Sequence, residues 1–253
     1  MPGSRLSAGC GFSTDPPGRI CLCRKMSTLR HSASLPRQTI PTGLPSRRPQ
    51  PFFNHAGDSH RLKINKASAT DTATLLFQSG WTGHAEMGLA GDTDFSIKVS
   101  NGSEWKTGLE IDSAGRVTRP NQPAAQAYRS GTSFTPSAGQ QSGISDFAFN
   151  QGGFTLGSAA AGGGNRLVVP ATGLYLLTLT LSLATASAAY GVTVSRNGSP
   201  GLLSLAGAAG DSITRSSSAI AQLQQGDTLA FTHSGSAAFN ARPTGTILAL
   251  AMI

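Results

Sequence analysis

Apolar and polar residues alternate with a period of two in a series of short runs from about residue 75 to residue 253, and no stretch carries the 3.6-residue period of a long amphipathic helix. The first runs are LLFQS (75–79), AEMGLAG (85–91) and FSIKVS (95–100), each bounded by glycine. In the third, Phe95, Ile97 and Val99 share one face, and Ser96, Lys98 and Ser100 the other. Asn101-Gly102 follows, a dipeptide that tolerates the positive φ of a hairpin turn. The return strand is expected to set Trp105, Leu109 and Ile111 on one face before Asp112 to Gly115 turns the chain again. Residues 52–118 are thus predicted to form a small antiparallel β-ribbon module. So few strands need something to pack on.

Residues 119–124 read as a linker, within a stretch rich in Pro, Ala, Gln, Ser and Gly that extends to 143. Beyond it the runs are longer and more apolar: FAFNQGGF (147–154), RLVVP (166–170), GLYLLTLTLSLAT (173–185), YGVTVSRNG (190–198), SITRSSSAIAQLQ (212–224), DTLAFTHS (227–234) and TGTILALAMI (244–253). Leu174, Leu176, Thr178 and Thr180 alternate with Tyr175, Leu177, Leu179 and Leu181, which gives one plainly apolar face. Asn197-Gly198 and Gln225-Gly226-Asp227 mark further turns. Many short strands at this spacing predict an all-β sandwich or jelly roll over 125–253. The last apolar strand is expected at the centre of a sheet, because at an edge it would invite aggregation.

Charge changes the picture only after it is divided. Residues 1–66 hold eleven basic and two acidic residues, a net of +9, and residues 67–253 hold nine basic and ten acidic, a net of −1. The nearly neutral body has no broad field for a phosphate backbone, so no nucleic-acid partner is expected there. Cys10, Cys21 and Cys23 all fall in the leader, so no disulfide framework holds the body. Seven prolines interrupt residues 1–50, and 1–51 is predicted to be a disordered basic leader. A nucleic-acid-binding arm, an organelle transit peptide, or a stretch that is not native coding sequence would each give this composition. The scattered arginines and the abrupt change near Pro51–Asn54 favour the last. Nothing in the first thirty residues resembles the apolar centre of a secretory signal, and no run reaches the ~18 apolar residues of a membrane span, so membrane insertion is not expected.

Candidate chemistry is thin. The five histidines are dispersed, with no zinc-protease spacing and no G-x-S-x-G elbow. Asp92-x-Asp94 offers carboxylates to a Ca²⁺ ion or, equally, an Asp-stabilised turn. Glu110 and Asp112 share a strand face, but a ribbon makes no cleft for a glycosidase pair. The reading is therefore non-enzymatic, with no cofactor and no metal. Tyr190, Arg196, Asn197, Arg215, His233 and Arg242 are the polar or aromatic residues nearest predicted loop ends, and rings with guanidinium groups suit an acidic polysaccharide. Tyr175, Phe231 and Phe239 are expected in the core or at a subunit interface.

Two resemblances complete the reading. The LLFQ-x-G-W-x-G stretch from Leu75 to Gly83, AEMGLAGD (85–92), DFSIKVS (94–100), the Trp105 strand and Gly115-Arg116-Val117 resemble the C-terminal part of fibre proteins of α-proteobacterial prophages and gene transfer agents. Asn150-x-Gly152-Gly153-Phe154, Val168-x-Pro170-x-x-Gly173-x-Tyr175, Arg196-Asn197-Gly198, Leu223-x-x-Gly226-Asp227-x-Leu229 and a late Phe239 are similar to the globular head of the first complement component, which shares its jelly roll with the tumour necrosis factors. The second resemblance implies a ten-stranded jelly roll that forms a homotrimer. Together they imply a virion or particle-surface fibre protein, made in the bacterial cytoplasm and extracellular after release. Its head would bind a bacterial surface glycan, and its other partners would be fibre or baseplate proteins. The alternative is a structural fibre or baseplate component with no receptor of its own.

Overall fold

The computed structural model of the chain describes residues 53–55 and 57–253. The expected leader, 1–51, lies outside the described residues. The chain divides into two units, Met1–Arg61 and Leu62–Ile253. In the first, the described residues form no helix or strand; the backbone N–H of Gly57 donates to His55 Nδ1 at 3.1 Å, so this imidazole serves a local turn.

The second unit begins with a five-stranded antiparallel meander: β1 Thr72–Ser79, β2 Thr82–Ala90, β3 Phe95–Ser100, β4 Trp105–Ile111 and β5 Val117–Thr118, in that spatial order. Gly80 and Trp81, both at positive φ, form the two-residue turn between β1 and β2. Strand register sorts the side chains. Leu75, Met87, Ile97 and Leu109 lie in one row across four strands, and Ala73, Leu89, Phe95, Ile111 and Val117 in the next. One face is therefore apolar from edge to edge, while Thr74, Glu86, Ser96, Lys98 and Glu110 occupy the other. Trp105 departs from expectation. A register shift leaves Gly108 unpaired between Thr107 and Leu109, so the alternation reverses and Trp105 joins the polar face opposite Ser100. There its ring covers Gly83, where an added Cβ would come within 2.9 Å of it.

The rest of the unit is a jelly-roll-like sandwich of antiparallel strands, with no helix among the described residues. Its strands are β6 Ala124–Tyr128, β7 Ser133–Phe134, β8 Gln141–Ser142, β9 Asp146–Gln151, β10 Thr155–Ala159, β11 Asn165–Val168, β12 Gly173–Arg196, β13 Ser199–Gly207, β14 Thr214–Leu223, β15 Thr228–Asn240 and β16 Ile247–Met252. One layer runs β14-β12-β16-β6-β9. The other is built on β15 and the second half of β12, with β10, β11, β13, β7 and β8 around them. The two runs expected as separate strands, 173–185 and 190–198, are thus one continuous element. Residues 173–182 of β12 pair with β14, and 183–196 pair with β15, with register shifts at Leu183/Thr185 and Ala186/Tyr190 where the strand crosses between layers. Small residues at 184–189 (Ala-Thr-Ala-Ser-Ala-Ala) leave room for that bend.

The core fills the space between the layers. Tyr175, Leu177, Leu179 and Leu181 project from one, and Leu167, Val192, Val194 and Phe231 from the other, each at most 1 % exposed. A fully buried aliphatic side chain contributes roughly 1.5–3 kcal/mol, so this block dominates the head's stability. β16 lies between β12 and β6, central and buried as its composition demands. Residues 119–123 are held at the junction. Gln151 Nε2 donates to the carbonyls of Arg119 and Gln122 at 2.9 and 2.7 Å, Gln122 Nε2 donates to the Met252 carbonyl at 2.6 Å, and Asn121 Nδ2 donates to the Thr107 carbonyl at 2.8 Å.

Candidate functional site

The residues singled out at loop ends do not converge. Tyr190 lies within β12 and is 4 % exposed; its hydroxyl donates to Asp211 Oδ2 at 3.3 Å and its ring meets Phe239 edge-on. His233 lies within β15, also 4 % exposed. Neither is at a loop end, and their burial leaves no surface to offer a ligand. Asn197 is the left-handed corner of the β12–β13 turn, at φ 52°. Its Nδ2 donates to Asp227 Oδ1 at 2.7 Å and its Oδ1 accepts from the Thr228 backbone at 2.8 Å, so the side chain ties two turns together. Arg196 is exposed beside it and donates to the Gln222 carbonyl at 3.0 Å. Since Gln222 pairs with Leu174, this is the end at which the chain enters the head.

Arg215 and Arg242 occupy the opposite end. Arg215 pairs with Leu181 near the crossing of β12 and forms an ion pair with Asp211 at 3.1 Å. Arg242 is exposed in the loop between β15 and β16. Tyr175, Phe231 and Phe239 are core residues of the head. Tyr175 donates its hydroxyl to the Ala171 carbonyl at 2.8 Å, and burial pushes its pKa up.

His233 belongs to a polar pair that the sequence does not reveal. Its Nε2 stands 2.6 Å from Ser142 Oγ, Nδ1 has no partner, and Phe134 and Phe239 pack against the ring. An unpartnered lone pair is less costly to bury than an unpartnered N–H, so the proton belongs on Nε2, donating to Ser142. Burial, reinforced by the nearby Arg129 cation, pushes the imidazole down to about 4. With Ser142 wholly buried, no substrate reaches the pair, and its role is structural.

The carboxylates serve turns. Asp92 Oδ1 accepts from the Asp94 backbone at 3.0 Å. The ammonium of Lys66 reaches the Asp92 carbonyl and those of Ala69, at 2.8 Å, and Asp71, at 3.2 Å, so a built-in cation already holds this corner. Asp112 accepts from the backbones of Ala114 and Arg116 and pairs with Arg116 Nε at 2.7 Å; the Arg116 hydrogen bonds lower its pKa.

The features that stand out are surfaces. On the solvent side of the β14-β12-β16 sheet, Leu174, Leu176 and Ile220 are 42, 41 and 60 % exposed, beside Ala249 and Ala251. Further along the same face hydroxyls replace them, with Thr178 and Ser218 at 2.8 Å and Thr180 and Ser216 at 2.9 Å. Sequence alternation shows this face only as the outward half of an amphipathic strand, and β14's Ile220 joins it only through register. Trp81, 93 % exposed at φ 67°, is a second such feature.

The chain matches no protein-family model and no curated protein. Among solved structures it is similar to Eiger TNF from S. frugiperda, at 17 % identity over 52 % of this chain and 93 % of that chain, with a TM-score of 0.40. It is also similar to murine APRIL at pH 5.0, at 19 % identity over 52 % and 99 %, TM-score 0.39. A further similarity is to the globular domain of zebrafish complement 1qA, at 14 % identity over 52 % and 98 %, TM-score 0.37. The likeness is to tumour-necrosis-factor and complement globular domains.

Proposed function

We propose that this protein is the surface-contacting end of a virion or gene-transfer-particle fibre, a homotrimer whose jelly-roll head binds bacterial envelope or capsular polysaccharide. The observation that carries the reading is the exposed strip of Leu174, Leu176 and Ile220, on a sheet whose outward face also presents Phe149, 49 % exposed, among small, hydroxylated and amide side chains. Such a strip is stable in water when copies of the head close over it. The ribbon-then-head order supports a fibre end, as does the resemblance of 54–117 to fibre proteins. Arg215, at the start of β14, and the loop bearing Arg242 lie away from the chain's entry, where three identical shallow patches would turn weak sugar contacts into firm attachment.

Two measurements test this. Light scattering after size exclusion is expected to give the full chain the mass of three copies. Leu176→Glu, which sets a carboxylate in the strip, is expected to give single heads with unchanged circular dichroism. A folded wild-type monomer would sink the trimer. Arg242→Ala is expected to lower binding to bacterial cells with the mass unchanged, by about tenfold for a loss of about 1.4 kcal/mol at one site and by up to about a thousandfold when all three sites engage. Undiminished binding would favour the reading as a structural fibre or baseplate part without its own receptor.

A further inference from the structure

We infer that Trp81 and Trp105 of the five-stranded sheet form a second glycan site, one that takes uncharged sugar rings by stacking. The site lies outside the head and depends neither on the trimer nor on the loops proposed above. Folding does not account for Trp81. It is 93 % exposed, so it adds almost nothing to a core. It also holds φ 67° at the second position of a two-residue turn, where glycine is the unstrained choice. A bulky residue kept in strain with nothing to pack on implies a contact outside the chain.

Trp105 completes the site. The reversal at Gly108 brings it onto the polar face of the sheet, 42 % exposed, and not into the apolar rows on the other face, where Phe77, Ile97 and Val99 lie exposed. A Cβ added at Gly83 would stand 2.9 Å from its Cζ2 and 3.4 Å from its Cη2, so the indole lies across this glycine, two residues from Trp81. Gln78, whose Nε2 donates to the Trp81 carbonyl at 3.2 Å, and the hydroxyls of Thr82 and Thr107 stand beside the two rings. Flat apolar surface edged by amides and hydroxyls matches a sugar ring, which is apolar on its C–H face and hydroxylated at its rim.

Charge and size select this occupant. Residues 67–118 hold three basic and seven acidic residues, a net of −4, which repels acidic polysaccharide and anionic lipid. A bilayer would also have to admit the β3–β4 turn, because Thr82 borders Gly102, and exposed Asn101, Ser103 and Glu104 would follow. Two indoles offer about 300–500 Å², short of the roughly 800 Å² a side of a standard protein interface. A glycan needs no such area, since its repeats meet the same small site again and again.

Both tryptophans of the chain belong to this site, so indole fluorescence of the full chain reads it alone. The chain is titrated with three neutral glycans (dextran, mannan and cellohexaose), with alginate as an acidic one, and with phosphatidylcholine vesicles. At least one neutral glycan is expected to shift the emission to the blue and to saturate, and alginate and vesicles are expected to leave it unchanged. By calorimetry, Trp81→Gly is expected to weaken that binding about tenfold or more. Its melting temperature is expected to hold or rise, because glycine suits the turn. Trp105→Thr, which keeps a strand-forming residue, is expected to weaken binding by as much. No response to any of the three neutral glycans would overturn the inference, as would undiminished binding by either variant. A shift with vesicles or alginate alone would overturn it too, and would give the site to a lipid or an acidic sugar. None of these outcomes bears on the head, which carries no tryptophan.

Discussion

Alanine at position 235 is expected to destabilise the head by about 3 kcal/mol or more, the sum of a left-handed non-glycine residue and a backbone clash. Gly235 sits at φ 69° where β15 follows the bend of β12 between the layers, and an added Cβ would lie 1.7 Å from the Ala189 carbonyl oxygen. That oxygen belongs to the strand crossing itself, so the clash is relieved only by moving the corner that joins both sheets. For a unit of this size the loss corresponds to a fall of about 6–12 °C in melting temperature, read by calorimetry. Gly210 provides the control. Its φ of 86° is as unfavourable for alanine, but nothing lies within 4 Å of the Cβ position, so Gly210→Ala is expected to cost only about 1 kcal/mol. Equal losses at the two positions would show that backbone conformation alone, and not the crossing, governs the effect.

Acid is expected to weaken the head through His233. The folded state holds this imidazole neutral, its pKa pushed from the ordinary 6.5 down to about 4, first by burial and then by the Arg129 cation. A proton added to Nδ1 would find no acceptor, and Phe134 and Phe239 close off water. The unfolded chain takes up its proton near 6.5. The head therefore has its full stability above that pH and loses it progressively as the pH falls toward 4. The loss over this window is about 3 kcal/mol. Urea midpoints at pH 7.5 and 4.5 should differ accordingly in the wild type and far less in His233→Gln, which keeps a donor for Ser142 but carries no titratable ring. Parallel pH slopes in the two proteins would remove His233 as the cause. Asp112 acts in a lower window, since its depressed carboxyl pKa gives up stability only as the pH falls below the usual carboxylate range.

Local alternation placed β1 to β4 and the long strands of the head, but it missed β6 and β13, whose alanines, glycines and serines carry little contrast, and it fails at identifiable residues elsewhere. Phe95, Ile97 and Val99 face one way because nothing interrupts β3. The same rule misplaces Trp105, since the bulge at Gly108 reverses the pattern and a lone glycine gives no sign of whether it will pair. The turns at Asn197-Gly198 and Gly226 were legible because each needs positive φ and carries the residues that supply it. The small residues 184–189 look like a break between strands, yet they mark a bend that remains paired. Tyr190 and His233 were read as loop-end residues for that reason: both stand beside the bend, on strands longer than alternation suggests. The Ser142–His233 pair joins residues 91 apart, which pattern along the chain cannot reveal. Both uncovered apolar faces are visible as alternation, but their exposure emerges only once the sheets are assembled.

The placement of β6 bears on how the head responds to a pull. Traction applied through residues 119–123 enters at Ala124, and β6 lies between β16 and β9, paired with five residues on each side. A strand at a sheet edge can unzip one hydrogen bond at a time, whereas a strand drawn lengthwise between two neighbours must shear both ladders together. Gln122, bonded to Met252 on β16, and Gln151 at the end of β9 spread the load onto both flanks before β6 moves. The head is thus built to resist tension along the direction from which its chain arrives.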